Sequence, residues 1–256
     1  MPSFLCNMPE EPIIDVREVS RRFGPVCALD AISLRVSAGE IFGLIGSDGA
    51  GKTTLMRILA TVLAPSAGSA SVAGFDVGRR AQEIKPLIGY MPQQFGFYGD
   101  LTVWENLQFF ADIYGIPKAE QPARFERFLS FSGLLPFRKR LAGNLSGGMK
   151  QKLGLAAVLI HMPQILLLDE PTNGVDPVSR QEFWEILQQM HEQGLTVFVS
   201  TAYLDEAEYC QRIALMHDGR VLEINRPAEL YAGFSSLEDA VIHRLGPPSE
   251  ERHARP

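Results

Sequence analysis

The sequence is poor in cysteine, in basic charge and in long apolar runs, and each shortage excludes a class of protein. Three cysteines occur among 256 residues, Cys6, Cys27 and Cys210, with no paired spacing. An odd, scattered set supports neither a disulfide framework nor a zinc site, so a reducing cytosol is expected. Acidic residues outnumber basic ones, 30 to 24, for a net charge of -6. A general nucleic-acid binder normally carries a basic surplus, so no nucleic-acid partner is expected. The one dense basic cluster, Arg138-Lys139-Arg140, reads as solvated surface. The longest apolar stretches, "LGLAAVLI" and "ILLL", are broken by His161, Pro163 and Gln164. Neither nears the roughly 20 residues that a membrane helix needs. The opening "MPSFLCNMPEEP" has no basic n-region and no long apolar h-region, so no signal peptide is expected. Any membrane role would have to come through a partner.

What remains is ordinary globular composition, 46% hydrophobic and 21% charged, long enough for one large core plus an inserted subdomain. Residues 1–12 read as a flexible lead-in. "IIDVREVSRRFG" and "DAISLRV" alternate as half-buried antiparallel strands do, and "EIFGLIG" is apolar enough for a strand buried on both faces. The helix "KTTLMRILATVLA" should bury Leu55, Met56, Leu59, Val62 and Leu63 and stop at Pro65 and Gly68. Helical spacing then governs "LTVWENLQFFADIYG" and "FERFLS", before the strands "QILLLDE", "LTVFVST" and "RIALMH" return around "VSRQEFWEILQQMHEQ". "HDGR" has the composition of a hairpin turn. Strands alternating with helices imply an α/β parallel sheet. The expected organisation is a core over 13–95 and 161–234, a helical subdomain over 96–160, and a tail or linker over 235–256.

"GLIGSDGAGKTT" meets the strand–loop–helix context that a phosphate-binding P-loop requires. The site residues are Gly46, Ser47, Asp48, Gly49, Ala50, Gly51, Lys52, Thr53 and Thr54. The glycines let successive backbone N–H groups face a β-phosphate. Lys52 supplies an ammonium to the β- and γ-oxygens, and Thr53 offers its hydroxyl to Mg²⁺. "ILLLDE" ends a buried strand on two carboxylates. Asp169 would hold Mg²⁺ through water, and Glu170 would act as general base toward an attacking water. ATP and Mg²⁺ are the expected cofactors. "GNLSGGMKQK" adds a second helix N-terminus of anion-binding character at Ser146, Gly147 and Gly148.

"GSDGAGKTT", "GYMPQQ", "LSGGMKQK" and "LLLDEPTNGVDP", in that order and spacing, resemble the ATP-binding cassette of ABC transporters from about Val16 to Leu230. The resemblance implies a P-loop NTPase sheet core with an N-terminal antiparallel β subdomain and an inserted α-helical subdomain. It also explains two phosphate cradles in one chain. Cassettes of this family pair head to tail, and the Ser146–Gly148 signature would close over ATP held by the P-loop of a second cassette. That cassette could be identical, different or fused in a longer chain. Phe23 matches the aromatic that stacks on adenine, Gln93 the glutamine that reaches Mg²⁺ and the attacking water, with Gln94 as the adjacent alternative. Asp176 matches the loop that touches the opposite cassette. The aromatic stretch "QFGFYGDLTVWENL" matches the groove for a coupling helix of a membrane permease, and the motifs resemble bacterial drug- or polysaccharide-exporter cassettes. The implied location is the cytoplasmic face of the cell membrane, peripherally bound.

The pattern breaks at "STAYLDEAE", where Ala202 occupies the position of a histidine that donates a hydrogen bond to the γ-phosphate. Losing such a donor commonly costs about 10²–10³-fold in rate. Tyr203 should face away and not substitute. A slow site is expected, either in an export ATPase or in a regulatory cassette that hydrolyses little. A soluble cassette not tied to transport is the third reading. Asp48, where the family more often has Asn, is read as tolerated variation.

Overall fold

The computed structural model describes residues 11–230, with Phe234 and His243 besides, so most of the expected tail and of the expected lead-in lies outside the described residues. Two alternating strands, β1 (Ile14–Phe23) and β2 (Val26–Val36), pair antiparallel and are followed by β3 (Ile41–Ile45), α1 (Lys52–Leu59), β4 (Ala67–Val72) and β5 (Phe75–Asp76). The chain continues through α2 (Ala81–Ile84), β6 (Ile88–Met91), α3 (Val103–Ile113), α4 (Gln121–Phe131) and α5 (Gly147–Leu159). The remaining named elements are β7 (Ile165–Asp169), α6 (Pro177–Glu192), β8 (Thr196–Thr201), β9 (Arg212–His217), β10 (Arg220–Asn225) and α7 (Pro227–Leu230). One sheet runs β2-β1-β4-β5, all antiparallel, and the other runs β10-β9-β3-β8-β7-β6. In the second sheet every pair is parallel except β9–β10, which the "HDGR" turn folds into a hairpin.

Every residue of β3, β7 and β8 is buried, as strands covered on both faces require. The period of two divides them cleanly. Phe42, Leu44, Leu167 and Phe198 face one core with α1 and the antiparallel sheet, where Phe42 and Phe198 stack at 5.5 Å. Ile41, Ile45, Leu166, Leu168, Val197 and Val199 face the other, with α5, α6 and the helices of 96–160. Residues 96–160 hold no strand, but their helices share the core of the sheet rather than enclosing one of their own.

One expected helix was too long. Helix α1 ends at Leu59, and Val62 is 65% exposed rather than buried. Thr61 adopts a left-handed φ of 60°, its N–H donates to Ile58 O, and Val62 N–H donates to Arg57 O. This Schellman pairing satisfies the last carbonyls before Pro65 or Gly68 is reached.

Candidate nucleotide-binding site

The loop 46–51 leaves the C-terminal end of β3, where ligands of parallel α/β sheets sit. Gly51 has φ 102°, and a Cβ there would lie 2.5 Å from Ala28 O, so no other residue fits. The turn opens α1 and sends the Lys52 side chain back beneath the loop. Its ammonium donates to Gly46 O at 2.6 Å and Ser47 O at 3.0 Å, and pairs with Glu170 Oε1 at 3.0 Å. Above it lies a cavity of about 440 Å³, lined by Gly49 to Thr54 and by Glu170. Backbone N–H groups and a lysine at a helix start give this cavity the chemistry of an anion site.

The acidic wall comes from β7. Thr53 Oγ1 donates to Asp169 Oδ1 at 3.1 Å, while Asp169 Oδ2 is buried without a hydrogen-bond partner. Burial pushes the Asp169 carboxyl above its ordinary pKa and the neighbouring Glu170 charge adds to that, against hydrogen bonds from Ser200 and Thr53 that lower it. A buried carboxylate oxygen with no donor, beside a threonine hydroxyl, is a fitting ligand set for a divalent cation or its water. Glu170 follows with φ 48°, a region that non-glycine residues seldom occupy. Its N–H is held by Ser200 O at 3.1 Å and Ser200 Oγ at 3.0 Å. Its Oε2 accepts from Gln93 Nε2 at 2.9 Å and from Asn173 Nδ2 at 3.2 Å. Of the two candidate glutamines it is therefore Gln93 that reaches the acidic pair.

Some expected residues stand elsewhere. Phe23 does not line the cavity: it is 46% exposed at the end of β1, under the Arg21 guanidinium at 4.7 Å. The β1–β2 register sets it opposite Val26, and it is Val26, Cys27 and Ala28 that form that wall, with Asp218 and Gly219 of the hairpin turn. Ser47, Asp48 and Gly49 are exposed, and Ala50 is buried. Ser146 and Gly147 form a separate exposed surface, with Gly148 buried behind them. Ser146 caps α5, accepting from Met149 N–H at 3.3 Å. A Cβ on Gly148 would lie 2.5 Å from Ser179, so the first turns of α5 and α6 are in close contact. Asp176 caps α6 through Ser179 N–H at 3.0 Å, which holds its carboxyl below the ordinary range. One chain thus carries two phosphate-type cradles that it does not bring together.

Ala202 is exposed just past β8. The Tyr203 ring lies beneath the Arg180 guanidinium at 4.6 Å, a contact that engages it away from any phosphate role. A buried bond from Thr172 Oγ1 to Glu206 Oε1 at 2.7 Å ties the segment after Glu170 to the turn after Ala202. Beyond Gln93, Phe95, Phe97 and Phe110 cluster at 4.8–5.2 Å and Tyr98, packed on Phe109, is 51% exposed. Fully buried Asn106 pins this loop, accepting from Tyr98 N–H and donating to Tyr98 O and Thr102 O. Ser200, Asn173 and Asn106 were not singled out in the sequence. Only Ser200 left a signal, since it follows Phe198 at strand spacing on the sheet face that holds Asp169.

A family model described as ABC transporter matches residues 29–173, more than half of the chain. Among curated relatives, the probable multidrug ABC transporter ATP-binding protein YbhF of Escherichia coli is 46% identical over 222 residues, 86% of this chain and 38% of that protein. The chain thus spans well under half the length of that relative. Nod factor export ATP-binding protein I of Paraburkholderia xenovorans is 36% identical over 241 residues, covering 94% of this chain and 78% of that protein. Among solved structures, cbiO1 from Clostridium perfringens, part of the ABC transporter complex cbiONQ, is 28% identical with a TM-score of 0.79. It covers 92% of this chain and 95% of that one. A structure titled as the ATP-binding subunit of an ABC transporter superposes with a TM-score of 0.81 at 25% identity, over 91% of this chain and 100% of that one. On sequence and fold together, the chain belongs to the ABC transporter ATP-binding family.

Proposed function

We propose that this chain binds and hydrolyses ATP to drive export through a separate membrane permease, by closing on a second cassette. The observation that carries the reading is that Lys52, Thr53 and Glu170 line one cavity of about 440 Å³, with Asp169 bonded to Thr53 and Gln93 bonded to Glu170 behind them. A triphosphate in that cavity would exchange the Lys52 carbonyl contacts for phosphate oxygens. Thr53, Asp169 and, through its reach to the acidic pair, Gln93 would hold Mg²⁺, which when bound neutralises charge on the β- and γ-phosphates. The Glu170 carboxylate takes a proton from the attacking water as its oxygen bonds to the γ-phosphorus and the bond to the β-phosphate oxygen breaks, leaving ADP. Ser146, Gly147 and Gly148 would complete the site of a second cassette, with Asp176 at the seam. The 96–160 segment would carry that signature as a lever.

The export direction rests on the names of the relatives, multidrug and Nod factor export. Among the described residues no helix is long and apolar enough to cross a membrane, in keeping with peripheral attachment through a permease at the cytoplasmic face. The aromatic loop from Phe95 to Tyr98 is the surface we assign to it. Mg²⁺-dependent phosphate release by the purified chain tests the reading. Turnover that stops on chelating the metal is expected, and a chain that neither binds nor hydrolyses ATP would overturn it.

Ala202 supports a slow site. An alanine methyl donates no hydrogen bond, and Tyr203 is stacked under Arg180. Ala202→His should raise turnover by up to about 10²-fold, with little change in ATP affinity. An unchanged rate in steady-state assays would remove the idea of impairment.

A further inference from the structure

We infer that Ser200 is a positioning residue for the metal and the general base, holding Asp169 and Glu170 from β8. This rests on the nucleotide reading above. The sheet register sets Ser200 directly opposite Asp169 across β7 and β8, with its side chain on the same face. Ser200 is completely buried. Its hydroxyl donates to Asp169 Oδ1 at 2.8 Å and accepts the Glu170 N–H at 3.0 Å. One hydroxyl therefore joins the metal-side carboxylate to the residue that takes the proton.

The two links are unequal. The Glu170 N–H has a second acceptor in Ser200 O at 3.1 Å, which removal of the hydroxyl would leave in place. Asp169 Oδ1 has a second donor in Thr53 Oγ1 at 3.1 Å, but that oxygen is the one assigned to the metal. A Thr53 lone pair on the metal would leave its O–H able to donate, but the direction of that donor would then follow the cation, whereas Ser200 is held by the sheet alone. Ser200 is then the donor that keeps Oδ1 engaged and Oδ2, buried without a partner, aimed at the cation. Ala202, exposed beyond the strand end, takes no part in this.

The test compares wild type, Ser200→Ala and Ser200→Thr in the full chain. Mn²⁺ binding is followed by electron paramagnetic resonance with a non-hydrolysable ATP analogue, and nucleotide binding in chelator by fluorescence. Loss of an outer-shell partner typically weakens metal binding about 10–100-fold. Ser200→Ala should show that loss with metal-free nucleotide affinity retained and the chain still folded at a somewhat lower melting temperature, a fall in kcat rather than a rise in KM, and no repair by Ala202→His. Ser200→Thr, which keeps the hydroxyl, should restore Mn²⁺ binding. Unaltered Mn²⁺ affinity in Ser200→Ala overturns the inference, as does Ser200→Thr failing as badly while still folded. A wild-type chain that binds no nucleotide overturns the site reading itself, a result separable from either.

Discussion

Lys52→Ala is expected to weaken ATP binding by about 10²-fold or more and to abolish measurable turnover. The Lys52 side chain is 3% exposed, and all three acceptors around its ammonium are at the site. Truncating one partner of a buried, hydrogen-bonded charge pair typically costs about 2–5 kcal/mol, and 2.7 kcal/mol already corresponds to a hundredfold. An opposing effect reduces the net loss, because the lysine must release Gly46 O and Ser47 O when phosphate arrives. Those are neutral carbonyls, so exchanging them for ionised phosphate oxygens remains favourable. The variant also leaves Glu170 buried with only the Gln93 and Asn173 amides as donors, so a lowered melting temperature should accompany the lost affinity. Lys52→Arg should not rescue, since a planar guanidinium cannot follow the ammonium beneath the loop. Fluorescent-nucleotide titration measures the effect, and affinity near wild type would contradict the role given to Lys52.

Glu170→Gln should lower turnover by about 10²–10⁴-fold while leaving nucleotide binding largely intact. The two side chains have the same shape, and the glutamine carbonyl can still accept from Gln93 and Asn173. What is lost is the basic oxygen that takes the proton from water, together with half of the Lys52 ion pair. ATP that cannot be split should hold two chains together, so a nucleotide-dependent dimer is expected by sedimentation. Adding Ala202→His to this variant should gain nothing, because a better phosphate donor cannot supply the missing base. Substantial turnover by Glu170→Gln would assign the proton to another group.

Much of the fold was legible because its signals are local. Continuous apolar runs marked β3 and β7, and Asp218-Gly219 marked the β9–β10 hairpin through its turn preference. The end of α1 was misplaced because Thr61, a β-branched residue in a left-handed turn, gives no signal that Pro65 and Gly68 do not drown out. The P-loop was legible because its function is built into backbone conformation over consecutive residues. That Val26 rather than Phe23 lines the cavity was not legible, since it depends on hairpin register.

The chain's local chemistry, a glycine turn before Lys52, paired carboxylates closing a strand and a serine capping a helix, was determined by the sequence alone. Those features depend on neighbours a few residues away. Which groups complete them was decided only by tertiary structure. Gln93 and Lys52 reach Glu170 from distant segments, and Ser200 meets Asp169 because β7 and β8 pair in one register. A slip of one residue would turn that hydroxyl to the opposite face, and spacing along the chain carries no record of which register the packed sheet selects.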